Sequence, residues 1–355
     1  MSCLVGYKPS VKRTSLLVLL LVLVWAIAGC GGGGGNPTTS LRVAPSNTGA
    51  LVDSFVQLSA IPGGGVEQVE WSVEGGSANG TVSTDGRYRT PSTPGSYRVR
   101  VQVKGKPDLF AIATVDVASS VSVAIAPTAV KPRWKFGETI KFLPSVQGQG
   151  TSEVAWSASG GLITDQGLFT TPSTSGMFTI TCKSLRDGTK VGSYKILVSD
   201  QPVVKMKIED KGDVYIRMAR NEAPRTTQNF MSLALSGFYD GTFFHRYGPE
   251  ESLPQFIQGG DPQTKTLPLT DPRIGSGHPG FSINFEANPL KHTAGAIAMA
   301  RASDPNSAGC QFYICGVAIP DFDTNYVVFG NVIEGLTVVQ QLRKGDRIEN
   351  ATLLD

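Results

Sequence analysis

An internal repeat constrains this chain more than any other feature. Val69-Glu70-Trp71-Ser72-Val73-Glu74-Gly75-Gly76, Asp85-Gly86 and Thr90-Pro91-Ser92-Thr93-Pro94-Gly95 return as Val154-Ala155-Trp156-Ser157-Ala158-Ser159-Gly160-Gly161, Asp165-Gln166-Gly167 and Thr171-Pro172-Ser173-Thr174-Ser175-Gly176. The step from position 71 to position 156 is the length of one small β domain. Ser96–Val103 and Met177–Thr181 alternate polar and apolar residues between Gly, Pro, Ser and Thr turns. That period suits strands with one buried face. Two β-sandwiches are predicted over 41–118 and 119–200, each with its tryptophan packed between the sheets.

These modules resemble the bacterial immunoglobulin-like domains of surface proteins, and the resemblance implies a spacer role. The start of the chain points to the same place. Lys8, Lys12 and Arg13 precede an apolar run from Leu16 to Ala28, which ends in Ile27-Ala28-Gly29-Cys30. The run is too short for a membrane span of about 20 residues and reads as an export signal over 1–29. Its last four residues resemble the bacterial lipoprotein box, which implies lipidation of Cys30. The Gly-rich stretch 30–40 then reads as a flexible tether. The expected location is the cell envelope, lipid-anchored outside the cytoplasm; Gly31 after the Cys favours the outer membrane where a cell has one.

The formal charge of +3 does not survive removal of the signal. Losing its three cations leaves 29 basic residues of 32, against 29 acidic ones. Nothing electrostatic then argues for nucleic acid. Cys310 and Cys315 bracket a strand-like segment too extended for a disulfide between them. Neither CxxC nor HxxxH occurs, so no metal and no cofactor are expected.

After Ser199-Asp200-Gln201-Pro202, read as a linker, the pattern changes. Val204–Ile208 and Asp213–Met218 alternate as a hairpin. A helix is predicted over Pro224–Phe238, with proline in the first turn, and a second over Leu336–Arg343. Short apolar runs lie between them. Many strands with a helix near each end predict a β-barrel capped by two helices.

Gly237-Phe238-Tyr239-Asp240-Gly241-Thr242-Phe243-Phe244-His245-Arg246 closely resembles the cyclophilin signature around its catalytic arginine. Gln258-Gly259-Gly260-Asp261-Pro262, Ala298-Met299-Ala300-Arg301, Asp304–Gly309, Gln311-Phe312-Tyr313-Ile314 and Val327-Val328-Phe329-Gly330 follow in family order. The region 203–355 is therefore identified as similar to cyclophilin-type peptidyl-prolyl isomerases, which implies a closed antiparallel barrel and proline-containing polypeptides as partners. By the same resemblance Arg246 stabilises the twisted amide. Phe256, Tyr313, Phe322 and Tyr326 form the proline pocket. Gln258 and Gln311 hold the peptide backbone, assisted by main-chain groups of Ala300 and Arg301. His245 reads as a hydrogen-bonded structural histidine rather than a base. A monomer is expected.

The sequence departs from the family in places. Eleven residues, 247–257, separate Arg246 from Gln258, more than is common, with Gly248–Ser252 as the extra segment; Phe256 can then fill either of two pocket positions. Asp321 or Phe322 stands where eukaryotic members have tryptophan, which puts cyclosporin binding in doubt. Tyr326 replaces a histidine, and Tyr313 adds a hydroxyl where phenylalanine is common. Three readings follow: an envelope isomerase for exported proteins, a catalytically weak binder of proline peptides, and an adhesin whose sandwiches define function. Arg246 together with Gln258 favours the first over the second.

Overall fold

The computed structural model describes residues 40–64, 68–148, 153–185, 187–248 and 255–355. The predicted export signal, Cys30, the predicted tether up to residue 39 and most of the extra segment lie outside them. Ser40, placed at the end of the tether by sequence, instead opens a strand paired with Gly63. No helix of the described residues is long and apolar enough to cross a membrane.

The chain is mainly β. In the first repeat, strands Asn47–Leu51, Lys106–Ala118, Gly95–Val103 and Val69–Val73 form one sheet in that order, and Phe55–Gln57, Arg87–Arg89 and Thr81–Val82 form another. Alternate residues Val99, Val101 and Val103 join Ala113, Val115, Val117, Leu58 and Tyr88 in one buried cluster. The second repeat buries Trp134, Ile140, Phe142, Phe169, Ile180, Ile196 and Val198 likewise. Trp71 and Trp156 are half-buried and pack against these clusters.

The repeated glycines mark a shared turn. The amide of Gly86 bonds Ser83 O and its carbonyl accepts from Leu58 N; Gly167 does the same with Thr164 O and Phe142 N. Both are in the left-handed region, and a Cβ would stand 2.9 Å from Cζ2 of Trp71 or of Trp156. Glycine is needed so that the tryptophan can lie on the turn. One sequence equivalence needs correcting. Gly161 sits against Thr170 O and the Phe169 ring, and its counterpart against Arg89 O and the Tyr88 ring is Gly80, not Gly76. The first module carries an extra 3-10 turn, Ser77–Asn79, between the two sites.

The supposed linker is not loose. Ser199 and Gln201 are buried. Arg133, its side chain only 5% exposed, donates to Ser199 O at 2.8 Å, Leu354 O at 3.3 Å and Asp355 Oδ1 at 2.6 Å. Arg217 holds Asp200 through two bonds, at 2.8 and 2.9 Å. The second module is thus bolted to the C-terminal region by polar contacts that sequence spacing does not reveal.

That region is an eight-stranded antiparallel sheet. Its strands are β1 (Val203–Ile208), β2 (Gly212–Met218), β3 (Arg246–Tyr247), β4 (Phe256–Gly259), β5 (Ala296–Met299), β6 (Phe312–Cys315), β7 (Val328–Glu334) and β8 (Ile348–Leu354). Their order is β3-β4-β6-β5-β7-β2-β1-β8. The sheet curls, and residues 241–244 bond back to 345–348 beside the far edge. Its inner face encloses Met206, Ile216, Phe244, Ile257, Ile297, Phe312, Ile314 and Phe329.

Helix α1 spans Pro224–Leu235, ending before the predicted Phe238, and α2 spans Leu336–Gln341, two residues short of Arg343. α1 buries Phe230, Met231, Leu233 and Ala234 against the core. Its N-cap, Ala223, has no side-chain oxygen; the carboxylate of Glu286 accepts instead from Arg225 N at 3.0 Å and Thr226 N at 2.8 Å. This satisfies donors that a helix start leaves open and places negative charge at its positive end.

Gly167→Ala is expected to lower unfolding free energy by more than about 2 kcal/mol, because the left-handed penalty of roughly 1–2 kcal/mol adds to the clash with Trp156. Gly137→Ala, also left-handed but with nothing within 4 Å of the new Cβ, should lose the backbone penalty alone. Denaturant unfolding of both variants checks the difference.

Candidate functional site

Strand alternation sorts residues between the two faces of the curled sheet. In β6, Phe312 and Ile314 enter the inner core while Tyr313 and Cys315 face outward; in β5, Ile297 and Met299 go inward while Ala296 and Ala298 go outward. The pairing register then aligns the outward residues. Arg246 stands opposite Gln258, Gln258 opposite Tyr313, and Tyr313 opposite Ala298. One rung across four strands thus holds three of the predicted site residues.

Beside that rung lies an aromatic cluster. Tyr313 is 5.5 Å from Phe256, 5.8 Å from Phe322 and 5.8 Å from Tyr326, ring centre to ring centre. Phe256 and Tyr313 are buried, whereas Phe322 and Tyr326 are half-exposed at the rim. The Arg246 guanidinium lies 5.6 Å from the Phe256 ring centre, within cation–π range.

On the other side is a cavity of about 600 Å³ lined by Arg246, Gln258, Ala300, Arg301 and Gln311, among others. Gln258 Nε2 donates to Gln311 Oε1 at 3.0 Å. Gln311 Nε2 donates to Gly275 O at 3.0 Å and Gly277 O at 2.8 Å. The two glutamines thus form a fixed polar floor. The amide of Ala300 is spent on Gln311 O at 2.9 Å, so the group it can offer a peptide is its carbonyl. The Arg301 side chain has a job not read from sequence. It donates to Asn325 O at 2.9 and 3.1 Å and to Ala302 O at 2.9 Å, and stacks over Tyr326.

Two further residues build the site without having been singled out. Asp261 is fully buried; its carboxylate accepts from Gln263 N, Gly275 N and Gly277 N. It therefore holds the loop whose carbonyls hold Gln311. An aspartate directly before Pro262 carried the signal, since that pair starts a helical turn. His292 is the second: its ring bonds both Asp323 and the hydroxyl of Tyr313. No sequence pattern pointed to it.

His245 is buried; neither ring nitrogen makes a well-aligned hydrogen bond among the described residues, while the Phe243 backbone and the Gln311 side chain stand close enough to favour its protonated form. Burial pushes its pKa below the ordinary 6.5, against the smaller opposing pull of Asp261. Cys182, Cys310 and Cys315 are free thiols, and desolvation pushes Cys310 and Cys315 up to about 12. Among the described residues no group of three or more His, Cys, Asp or Glu side chains is placed to hold a metal.

The arrangement offers one guanidinium and two hydrogen-bonded side-chain amides beside an aromatic recess. It can grip an apolar ring and bond the peptide flanking it. Known proteins agree with this chemistry. Residues 203–354 match the family model described as cyclophilin type peptidyl-prolyl cis-trans isomerase/CLD. A peptidyl-prolyl cis-trans isomerase of Synechococcus elongatus is 39% identical over 142 residues, which are 39% of this chain and 88% of that protein. Peptidyl-prolyl cis-trans isomerase B of Bacillus subtilis is 36% identical over 39% of this chain and 89% of its own length. Among solved structures, a Cryptosporidium parvum cyclophilin type peptidyl-prolyl cis-trans isomerase, crystallised in the presence of the dipeptide Ala-Pro, is 26% identical with a TM-score of 0.36, covering 43% of this chain and 99% of that one. Through residues 203–354, this chain belongs to the cyclophilin-type peptidyl-prolyl cis-trans isomerase family.

Proposed function

We propose that the chain catalyses cis-trans isomerisation of X–Pro bonds in exported polypeptides at the cell envelope. In this reading it is organised as a lipoprotein signal (1–29), a tether ending at residue 39, two immunoglobulin-like sandwiches (41–118 and 119–200) and a closed-barrel isomerase domain (203–355). Cys30 carries the lipid, and the protein acts as a monomer.

The observation that carries the reading is the rung Arg246–Gln258–Tyr313, flanked by the aromatic recess on one side and the glutamine-lined cavity on the other. The barrier to rotation, about 18–20 kcal/mol, comes from the partial double bond of the amide. In the twisted state that conjugation is lost and the proline nitrogen regains its lone pair. A donor that reaches this nitrogen only when the bond is twisted lowers the barrier without tightening ground-state binding. Arg246 has the needed properties: a permanent charge, a planar fork of donors, and a place above the Phe256 ring at the edge of the recess. Phe256, Tyr313, Phe322 and Tyr326 hold the proline ring. Gln258, Gln311 and the Ala300 carbonyl fix the flanking peptide, so that rotation occurs about one bond. The Ala-Pro dipeptide of the Cryptosporidium crystals is the kind of ligand this recess would accept.

Arg246→Ala in the full chain should lower kcat for a short Ala-Pro peptide by roughly 10²–10³-fold, the usual effect of removing one transition-state donor, with KM little changed. A protease-coupled or NMR exchange assay reads this. A folded native chain without measurable turnover would leave the weaker alternative, a proline-peptide binder.

The reaction moves no proton, so its pH dependence should come from folding. His245 is held neutral, with its folded pKa below the unfolded 6.5. Below that unfolded value the denatured chain takes up a proton that the folded chain refuses, so the stability present above it is lost as pH falls. Between about pH 7 and about pH 5 the native protein should therefore lose more thermal stability than His245→Gln, which cannot titrate. Parallel melts of the two proteins at both pH values test this.

A further inference from the structure

Tyr313 brings a buried hydroxyl into a recess walled by aromatic rings. A proline ring has nothing to pair with it. Left free, it would hold water in the recess or compete for the peptide's own carbonyls, and a buried hydroxyl without a partner is costly. The structure gives it a partner. Tyr313 Oη lies 2.8 Å from His292 Nε2, and the two ring planes are 10° apart with centres 5.9 Å apart. His292 Nδ1 lies 2.9 Å from Asp323 Oδ1, which also accepts from the His292 amide at 2.8 Å.

The polarity of this chain follows from the inventory of donors. Hydrogen bonds from the amide and ring of His292 hold the Asp323 carboxyl below its ordinary range, so it is an acceptor only. Nδ1 therefore carries the proton. In the neutral ring Nε2 is then a bare acceptor, and Tyr313 must donate to it. Burial pushes the phenol's pKa upward, which keeps that proton in place. Lys291, 3.4 Å from the other oxygen of Asp323, completes the surroundings.

We propose that His292, fixed by Asp323, is a positioning residue: it draws the Tyr313 hydroxyl out of the recess and locks the ring, so that the wall presented to substrate is apolar and selects an unsubstituted proline ring. This rests on reading the Phe256–Tyr313–Phe322–Tyr326 cluster as the proline pocket. Neither histidine nor aspartate touches the peptide, so their effect belongs in affinity and not in the chemical step.

The test is a double-variant cycle in the full chain, with affinity for a short Ala-Pro peptide measured by titration calorimetry and KM and kcat read beside it. His292→Leu should weaken peptide affinity and raise KM roughly tenfold by stranding the hydroxyl, with kcat nearly unchanged. His292→Leu combined with Tyr313→Phe removes the stranded group and should return both values to within about twofold of native. A purely structural histidine would show no such rescue. Failure of the double variant to recover, or a His292→Leu chain that binds normally, overturns the assignment alone. A native chain that binds no such peptide overturns it together with the isomerase reading, because there would be no pocket for the histidine to serve.

Discussion

The site depends on the antiparallel register of β3, β4, β6 and β5. Side chains alternate between faces with a period of two, so a slip of one residue in any of these pairs would exchange the inner and outer sets. Here both sets are specified. Ile257, Phe312, Ile314, Ile297 and Met299 are apolar because they fill the interior; Arg246, Gln258, Tyr313 and Ala298 differ because they stand on the other face, around the candidate site. Any slipped register would bury an arginine and a glutamine, so the cost of desolvating them helps fix the arrangement that function needs. Folding information and functional information sit on the same strands in alternate positions.

That interleaving explains what could be read in advance. The strands of the repeat, the hairpin of β1 and β2 and the start of α1 at Pro224 are local consequences of alternation and of residues with restricted backbones. They follow from a few neighbouring positions. The turn glycines are of the same kind, although the extra turn Ser77–Asn79 hid which glycine of the first copy matches Gly161. The rung itself was reachable only through family resemblance, since pairing partners lie far apart in the chain.

What escaped the sequence is polar and long-range. Glu286 caps a helix that begins 62 positions earlier, at Pro224. Arg133 reaches Asp355 and turns a sequence that looks like a linker into a buried seam. His292 meets Tyr313 across the outer face of the sheet. None of these pairs has a periodic signature, because a hydrogen bond asks for one donor and one acceptor at one distance, and many sequences offer candidates. His245 shows the converse: it sits in a family motif, which suggested a bonded structural role, yet among the described residues its buried ring makes no well-aligned hydrogen bond. A motif identifies a position but not the hydrogen bonds its side chain makes.

The seam at Arg133 also bears on how the parts work together. Surface ion pairs contribute little, but a guanidinium that is 5% exposed and makes three bonds cannot be pulled apart without stranding charge. Together with the two-point grip of Arg217 on Asp200, it ties the orientation of the second module to the strands β2 and β8. In the sheet order those strands lie at the opposite end from β3 and β4, and the curl brings residues 345–348 back beside 241–244. The attachment is made through Arg217, Leu354 and Asp355, none of which is among the proposed site residues, so mount and site draw on different side chains.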